Sequence, residues 1–331
     1  MNIKEPNYWY GYDNFKKNIP IELEDIEVPL TLEDKYDLNH NWSFLRMNAD
    51  YIELIDQYYA RLGKGFSLFV MCSPMLVVMI ILLIHTILNP FSDTGRGFHI
   101  FFVIMVSCGL MLPLFGFLRP LFKYDKGKPI CRPIIFNRNT QKVYFYINEQ
   151  EYVEKHWLDV TYALGTSQGL GGMPIYELRA HIIEDGILKD TFLIGFPKIG
   201  NGASLGLWSF ICHYMQHGMD ELKPKPHPMY GTIDPLKQLT FCQRLEGSKE
   251  SIKDTWMSFR CVYFNNPLPS YFSFPFDMCC LIARRIQIRF KSLPQWHAEV
   301  VQANEMNKIR PEEISYKDNY EFKEFEIKDK K

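Results

Sequence analysis

Two long apolar runs interrupt an otherwise mixed pattern. Residues 66–88 (FSLFVMCSPMLVVMIILLIHTIL) and 98–118 (FHIFFVIMVSCGLMLPLFGFL) contain no Asp, Glu, Lys or Arg. A helix rises about 1.5 Å per residue, so either run is long enough for a hydrocarbon core of roughly 30 Å. The pattern predicts a two-helix transmembrane hairpin over 66–118, closed by the loop 89–97. Arg61 and Lys64 stand before it and Arg119, Lys123, Lys126, Lys128 and Arg132 behind it, whereas the loop sets Arg96 against Asp93. By the positive-inside bias both chain ends lie on the cytoplasmic side. Pro74 and Pro113 fall inside the runs as tolerated kinks. His85 and His99 fall near their outer ends, where an imidazole is hydrated.

Ahead of the hairpin, residues 1–65 read as a mostly irregular polar arm with an acidic centre, IELEDIEVPLTLEDKYD. It carries no signal peptide pattern. Alternation after Tyr51 leaves two readings, a strand leading into the hairpin or a helix. Behind the hairpin the apolar period is two. Ile134–Phe136, an Asn137–Thr140 turn and Lys142–Ile147 form a β-hairpin, and strands are expected over 155–164, 175–184 and 187–196. The Gly-rich loop 168–174 lacks the Gly-Lys-Ser/Thr ending of a phosphate cradle and reads as a strand connection.

Over 203–222 the period lengthens: Leu205, Trp208, Ile211, Cys212 and Met215 share one face of an amphipathic helix. Lys223–Pro228 is an extended linker, with helices expected at 235–246 and 248–260. Residues 276–291 form an apolar helix that is too short, and with Arg284, Arg285 and Arg289 too charged, to cross a bilayer. The tail 317–331 reads as disordered. The organisation is thus an arm (1–65), a hairpin (66–118), a β-rich domain with a closing helix (119–222), and a linker, helical appendage and tail (223–331).

Charge and chemistry narrow the function classes. Lys+Arg is 37 and Asp+Glu is 38, a net charge of −1, which offers no electrostatic case for nucleic acid. The eight cysteines form no C-x-x-C and read as reduced, buried thiols. His213 and His217 stand at i and i+4, yet the Glu and third ligand of a zinc site are missing nearby. There is no nucleophile elbow, P-loop or kinase set. Asp159 and Glu177 read as ion-paired or solvent-facing carboxylates on strands. The expectation is a non-enzyme without cofactor or metal.

The string RPIIFNRNTQKVYFY (132–146), followed by HWLDV (156–160), resembles a bacterial family of two-transmembrane proteins of unknown function. In that family an R-P-I-x-F-N-R…V-Y hairpin follows two membrane helices and a Trp comes one strand later. Members are often encoded beside toxic effectors of type VI secretion systems, and several behave as immunity proteins. The resemblance covers residues from about 51 to 222. It implies an α+β membrane protein of the bacterial inner membrane: a transmembrane α-hairpin plus a cytoplasmic pleckstrin-homology-like antiparallel β-meander closed by the amphipathic helix. It further implies a membrane-anchored immunity protein that neutralises a cognate effector acting in the cytoplasm, with that effector and the lipid bilayer as partners. The motif residues Arg132, Pro133, Phe136, Asn137, Arg138, Val143, Tyr144 and Trp157 are expected to serve the hairpin's turn and core. The other reading is a membrane-tethered regulatory or lipid-sensing module, motivated by the basic flank 119–132 and the arginines of 276–291.

Overall fold

Residues 134–148 fold back on themselves because Asn137 closes the turn, its side-chain carbonyl accepting the Thr140 N–H at 2.9 Å. Around this hairpin the computed structural model builds two antiparallel sheets. It describes residues 15–21, 26–34, 36–39, 41, 43–62, 129–168, 174–219, 225–227, 231–233, 270–290, 292–315 and 318, with positions 77, 78, 80, 81, 84, 101, 104 and 105.

In chain order the first elements are β1 (Ile19–Pro20), β2 (Val28–Pro29), β3 (Phe44–Met47), β4 (Tyr51–Leu54) and α1 (Gln57–Arg61). Next come β5 (Ile134–Asn137), β6 (Lys142–Asn148), β7 (Glu151–His156), β8 (Thr161–Gln168), β9 (Pro174–Glu184), β10 (Ile187–Ile199) and α2 (Gly202–His217). The last are β11 (Lys225–His227), β12 (Gly231–Ile233), α3 (Ser270–Phe290), α4 (Ala298–Ala303) and β13 (Ile314–Ser315). The first sheet has the order β13-β3-β4-β5-β6-β7 and the second β1-β10-β9-β8-β2, while β11 and β12 pair alone.

Two sheets form because the ladder is broken after β7. A 3₁₀ turn at Trp157–Asp159 buries the Trp157 ring and redirects the chain, so β8 starts a new sheet. The alternation of each strand then points one row inward. Phe44, Ile52, Leu54, Ile134, Phe136, Val143 and Phe145 from the first sheet meet Tyr162, Leu178, Ala180, Ile182 and Ile194 from the second. One edge of this core is filled by α2 through Leu207, Trp208, Phe210, Ile211 and Tyr214. β10 bends twice, at register shifts between Leu188 and Asp190 and between Ile194 and Lys198. In the second bend Gly195 has φ +67°, and a Cβ there would stand 2.5 Å from Ser43 Oγ, so only glycine fits.

The chain divides into two compact units. One comprises 1–60, 129–265 and 292–331 and holds both sheets and α2; the other comprises 61–128 and 266–291. In the second unit α3 buries Ala283, Arg284, Gln287 and Ile288 along one face. The described positions within the apolar runs are all helical, and all carry exposed apolar side chains: Val77, Val78, Ile80, Ile81, Ile84, Phe101, Ile104 and Met105.

These findings correct the membrane reading. Among the described residues no helix is long and apolar enough to cross a membrane. The described chain is mostly β, in two curled antiparallel sheets with few helices, in place of the expected α+β membrane protein with a transmembrane hairpin and a single pleckstrin-homology-like meander. The two-span inner-membrane placement with cytoplasmic ends falls with it. Absence of charge over a sufficient length is a requirement of a spanning helix, not a proof of one. The rest of 66–88 and 98–118, including Pro74, His85, His99 and Pro113, lies outside the described residues, as do 235–246, 248–260 and the tail from 319.

Candidate functional site

The motif residues are spread over the hairpin's turn, core and outer face. Phe136 and Val143 are fully buried between the sheets, and Trp157 joins them. The Trp157 indole donates to Gln141 Oε1 at 2.7 Å, which ties the 3₁₀ turn to the hairpin turn. Asn137 is buried and donates to Asn304 Oδ1 at 2.7 Å. The Arg138 amide donates to the Asp50 carbonyl at 2.8 Å. Its guanidinium lies against Gly218, where a Cβ would approach to 2.8 Å. The buried Pro133 carbonyl accepts the Tyr146 N–H at 3.2 Å. Tyr144 faces the other side of the sheet, among Tyr51, Ile135 and Val300.

Arg132 lines a cavity of about 210 Å³ beside residues 190–193 of β10. Lys17, Asp56, Arg132 and Asp190 give its wall two charges of each sign, with Phe15 and Tyr146 as aromatic neighbours. Lys17 and Asp190 are already paired at 2.6 Å. The space is below the roughly 300–1,000 Å³ of ordinary small-molecule pockets.

Three polar side chains are buried in a row on the outer face of the second sheet: Glu177, Arg179 and His181. Arg179 donates to Glu27 Oε2 at 2.8 Å and to Glu177 Oε2 at 3.0 Å. Its guanidinium lies 5.1 Å from the centroid of the Phe15 ring. Gln57 and Ser167 donate to the other oxygen of Glu177 at 2.7 and 2.6 Å. His181 Nδ1 shares a hydrogen bond with Thr191 Oγ1 at 2.9 Å, and burial, aided by Arg179, pushes its pKa down to about 4. The cross-strand partners of Arg179 and Glu177 on β8 are Ala163 and Gly165, small enough to leave room for the guanidinium.

The N-terminal arm holds this row in place and caps both edges of the second sheet. β1 pairs with β10 and β2 with β8. The arm then crosses α2. Thr31 and Asp34 form a turn, with the Thr31 amide donating to Asp34 Oδ2 at 2.6 Å. The Trp208 indole donates to Thr31 O at 2.9 Å, Ser209 Oγ accepts the Tyr36 amide at 2.9 Å, and the Asn39 amide donates to Gly206 O at 3.2 Å. From this fixed backbone Val28, Leu32, Tyr36 and Leu38 stand exposed, at 60, 38, 41 and 38 %.

A C-terminal strap covers the outer face of the first sheet. Tyr51 is fully buried there, its ring between the guanidinium groups of Arg46 and Arg310 at 5.5 and 5.6 Å. Arg46 pairs with Glu53 and Arg310 with Asp50, both at 2.6 Å. The Trp296 indole donates to Glu53 Oε1 at 2.7 Å. Burial raises the Tyr51 phenol to about 12.

Asp159 is exposed, whereas Glu177 is 4 % exposed and ion-paired. The rings of His213 and His217 are 5.1 Å apart, and no group of three metal-ligating side chains occurs among the described residues. Cys131 and Cys212 are free thiols raised by burial, the latter to about 12. Sequence reasoning passed over Arg179 and the exposed residues of the arm. The signal for Arg179 was three polar residues at alternate positions on a strand, 177, 179 and 181, preceded by Ala163 and Gly165 on the strand before. No curated protein and no solved structure matches the chain. A model of a family of unknown function, DUF6708, matches residues 110–308, more than half of the chain, and the chain therefore belongs to that family.

Proposed function

We propose that this chain is a binding protein of the immunity type, which neutralises a toxic effector protein by covering the surface the effector needs. The observation that carries the reading is the arm: Val28, Leu32, Tyr36 and Leu38 are exposed on a backbone already fixed by Trp208, Ser209 and Gly206. Apolar and aromatic side chains on an ordered backbone lose little entropy on docking, and Tyr36 is of a type enriched among the residues that carry binding energy. The motif of the resemblance leaves this surface free, since Phe136, Val143 and Trp157 are spent on the core and Asn137 on the turn. Occlusion requires affinity and shape and no chemistry at the inhibitor.

Co-expression is the test. A toxin encoded beside the gene should kill cells that lack this chain and spare cells that make it in full. Equal killing in both would overturn the reading. Protection should also follow the amount of the chain made, since occlusion is stoichiometric; protection by a trace amount would point to catalysis.

A further inference from the structure

The arm that carries the exposed anchors is also strongly acidic. Between 22 and 37 it holds Glu22, Glu24, Asp25, Glu27, Glu33, Asp34 and Asp37 against one base, Lys35, in a chain whose net charge is only −1. Glu27 is committed to Arg179 and Asp34 to the Thr31 turn. Glu33 and Asp37 are exposed, interleaved with the exposed Leu32, Tyr36 and Leu38. Residues 22–25 and 35 lie outside the described residues. The surface thus presents apolar side chains separated by carboxylates, on a backbone that hydrogen bonds hold across α2. Gly206 fixes the closeness of this crossing, because a Cβ there would stand 2.6 Å from the Asp37 carbonyl oxygen.

We infer that the described residues of this stretch, 28–34 and 36–38, are a docking surface for a basic protein face. The inference rests on the occlusion reading above and names the chemistry of its partner. Carboxylates spaced along a rigid strand of chain meet such a face by charge, which sets association rate and orientation. The apolar residues between them supply the contact that holds the complex. An acidic partner face would set its charges against Glu33 and Asp37.

The experiment uses the full chain and, as probe, the toxin encoded beside its gene, made harmless by an inactivating substitution. Calorimetry measures binding at 50 and 300 mM salt for the native chain, for Glu33→Lys/Asp37→Lys and for Glu33→Gln/Asp37→Asn. Among the described residues neither side chain takes part in the hydrogen bonds that hold the arm, and matching thermal melts establish that the variants fold. The expected result is at least tenfold weaker native binding at high salt, at least tenfold weaker binding on charge reversal, and an intermediate loss on neutralisation. Tight binding that ignores salt and both variants would overturn the docking surface and leave occlusion standing. No binding by any form would overturn both.

Discussion

The guanidinium of Arg179 occupies the space that a side chain at position 165 would need: a Cβ built on Gly165 stands 2.0 Å from Arg179 Nε. The Arg179 side chain cannot step aside, because Glu27 and Glu177 hold its two terminal nitrogens. Gly165→Ala should therefore cost about 2–4 kcal/mol, through overpacking or a displaced buried charge. Urea unfolding would measure it. The cost should shrink when Arg179→Ala is added to the same chain, since the two positions share one clash.

His181 predicts a pH dependence of stability. Its folded pKa of about 4 lies below the unfolded 6.5, so between these values the unfolded chain binds the extra proton. The stabilisation is complete above pH 6.5 and is lost as pH falls toward 4, by roughly 3 kcal/mol. Unfolding free energies measured at half-unit steps should show this slope. In His181→Gln the slope over that window should flatten.

The Trp208 indole is one of the bonds that hold the arm on α2. Trp208→Phe keeps the ring in the core and removes the donor to Thr31 O, at an expected cost of about 1 kcal/mol. Amide exchange should rise over residues 28–39 and stay unchanged in β5 and β6. If exchange rises uniformly, the arm is not held by this bond.

Arg310 joins the C-terminal strap to the first sheet through Asp50 and the Tyr51 ring. Arg310→Met should cost about 1–3 kcal/mol, with the larger part of the loss in the hydrogen-bonded ion pair. Limited proteolysis should then cut within 298–315 sooner than in the native chain, while the sheets resist as before.

Period and turn chemistry made the local structure readable. Asn137 and Thr140 are turn residues in sequence and in space, and the strands at 134, 142, 175 and 187 start within a residue of their expected positions. The helix beginning at 202 followed from the spacing of Leu205, Trp208 and Ile211. What failed was long-range. Residues 155–164 read as one strand, yet burial of Trp157 breaks it and creates the second sheet. Strand patterns give each residue's face but not which neighbours cover that face. Nothing local in Glu27 announces Arg179, 152 residues away. The apolar runs misled for a related reason: hydropathy measures transfer cost per residue and is blind to the structure a run adopts. The acidic arm looked irregular because its order comes from α2 and from the edges of a sheet, not from its own periodicity.

The pairing of β4 with β5 has a topological consequence. Tyr51 sits opposite Asn137 and Leu54 opposite Ile134, although 61–128 of the second unit lies between these strands in the chain. The ladder is thus a staple across the mouth of a long excursion, with strand neighbours only about 5 Å apart. Closing such a loop costs only about 0.6 kcal/mol more for each doubling of its length. The free energy of closing the ladder therefore depends only weakly on how much chain the excursion contains.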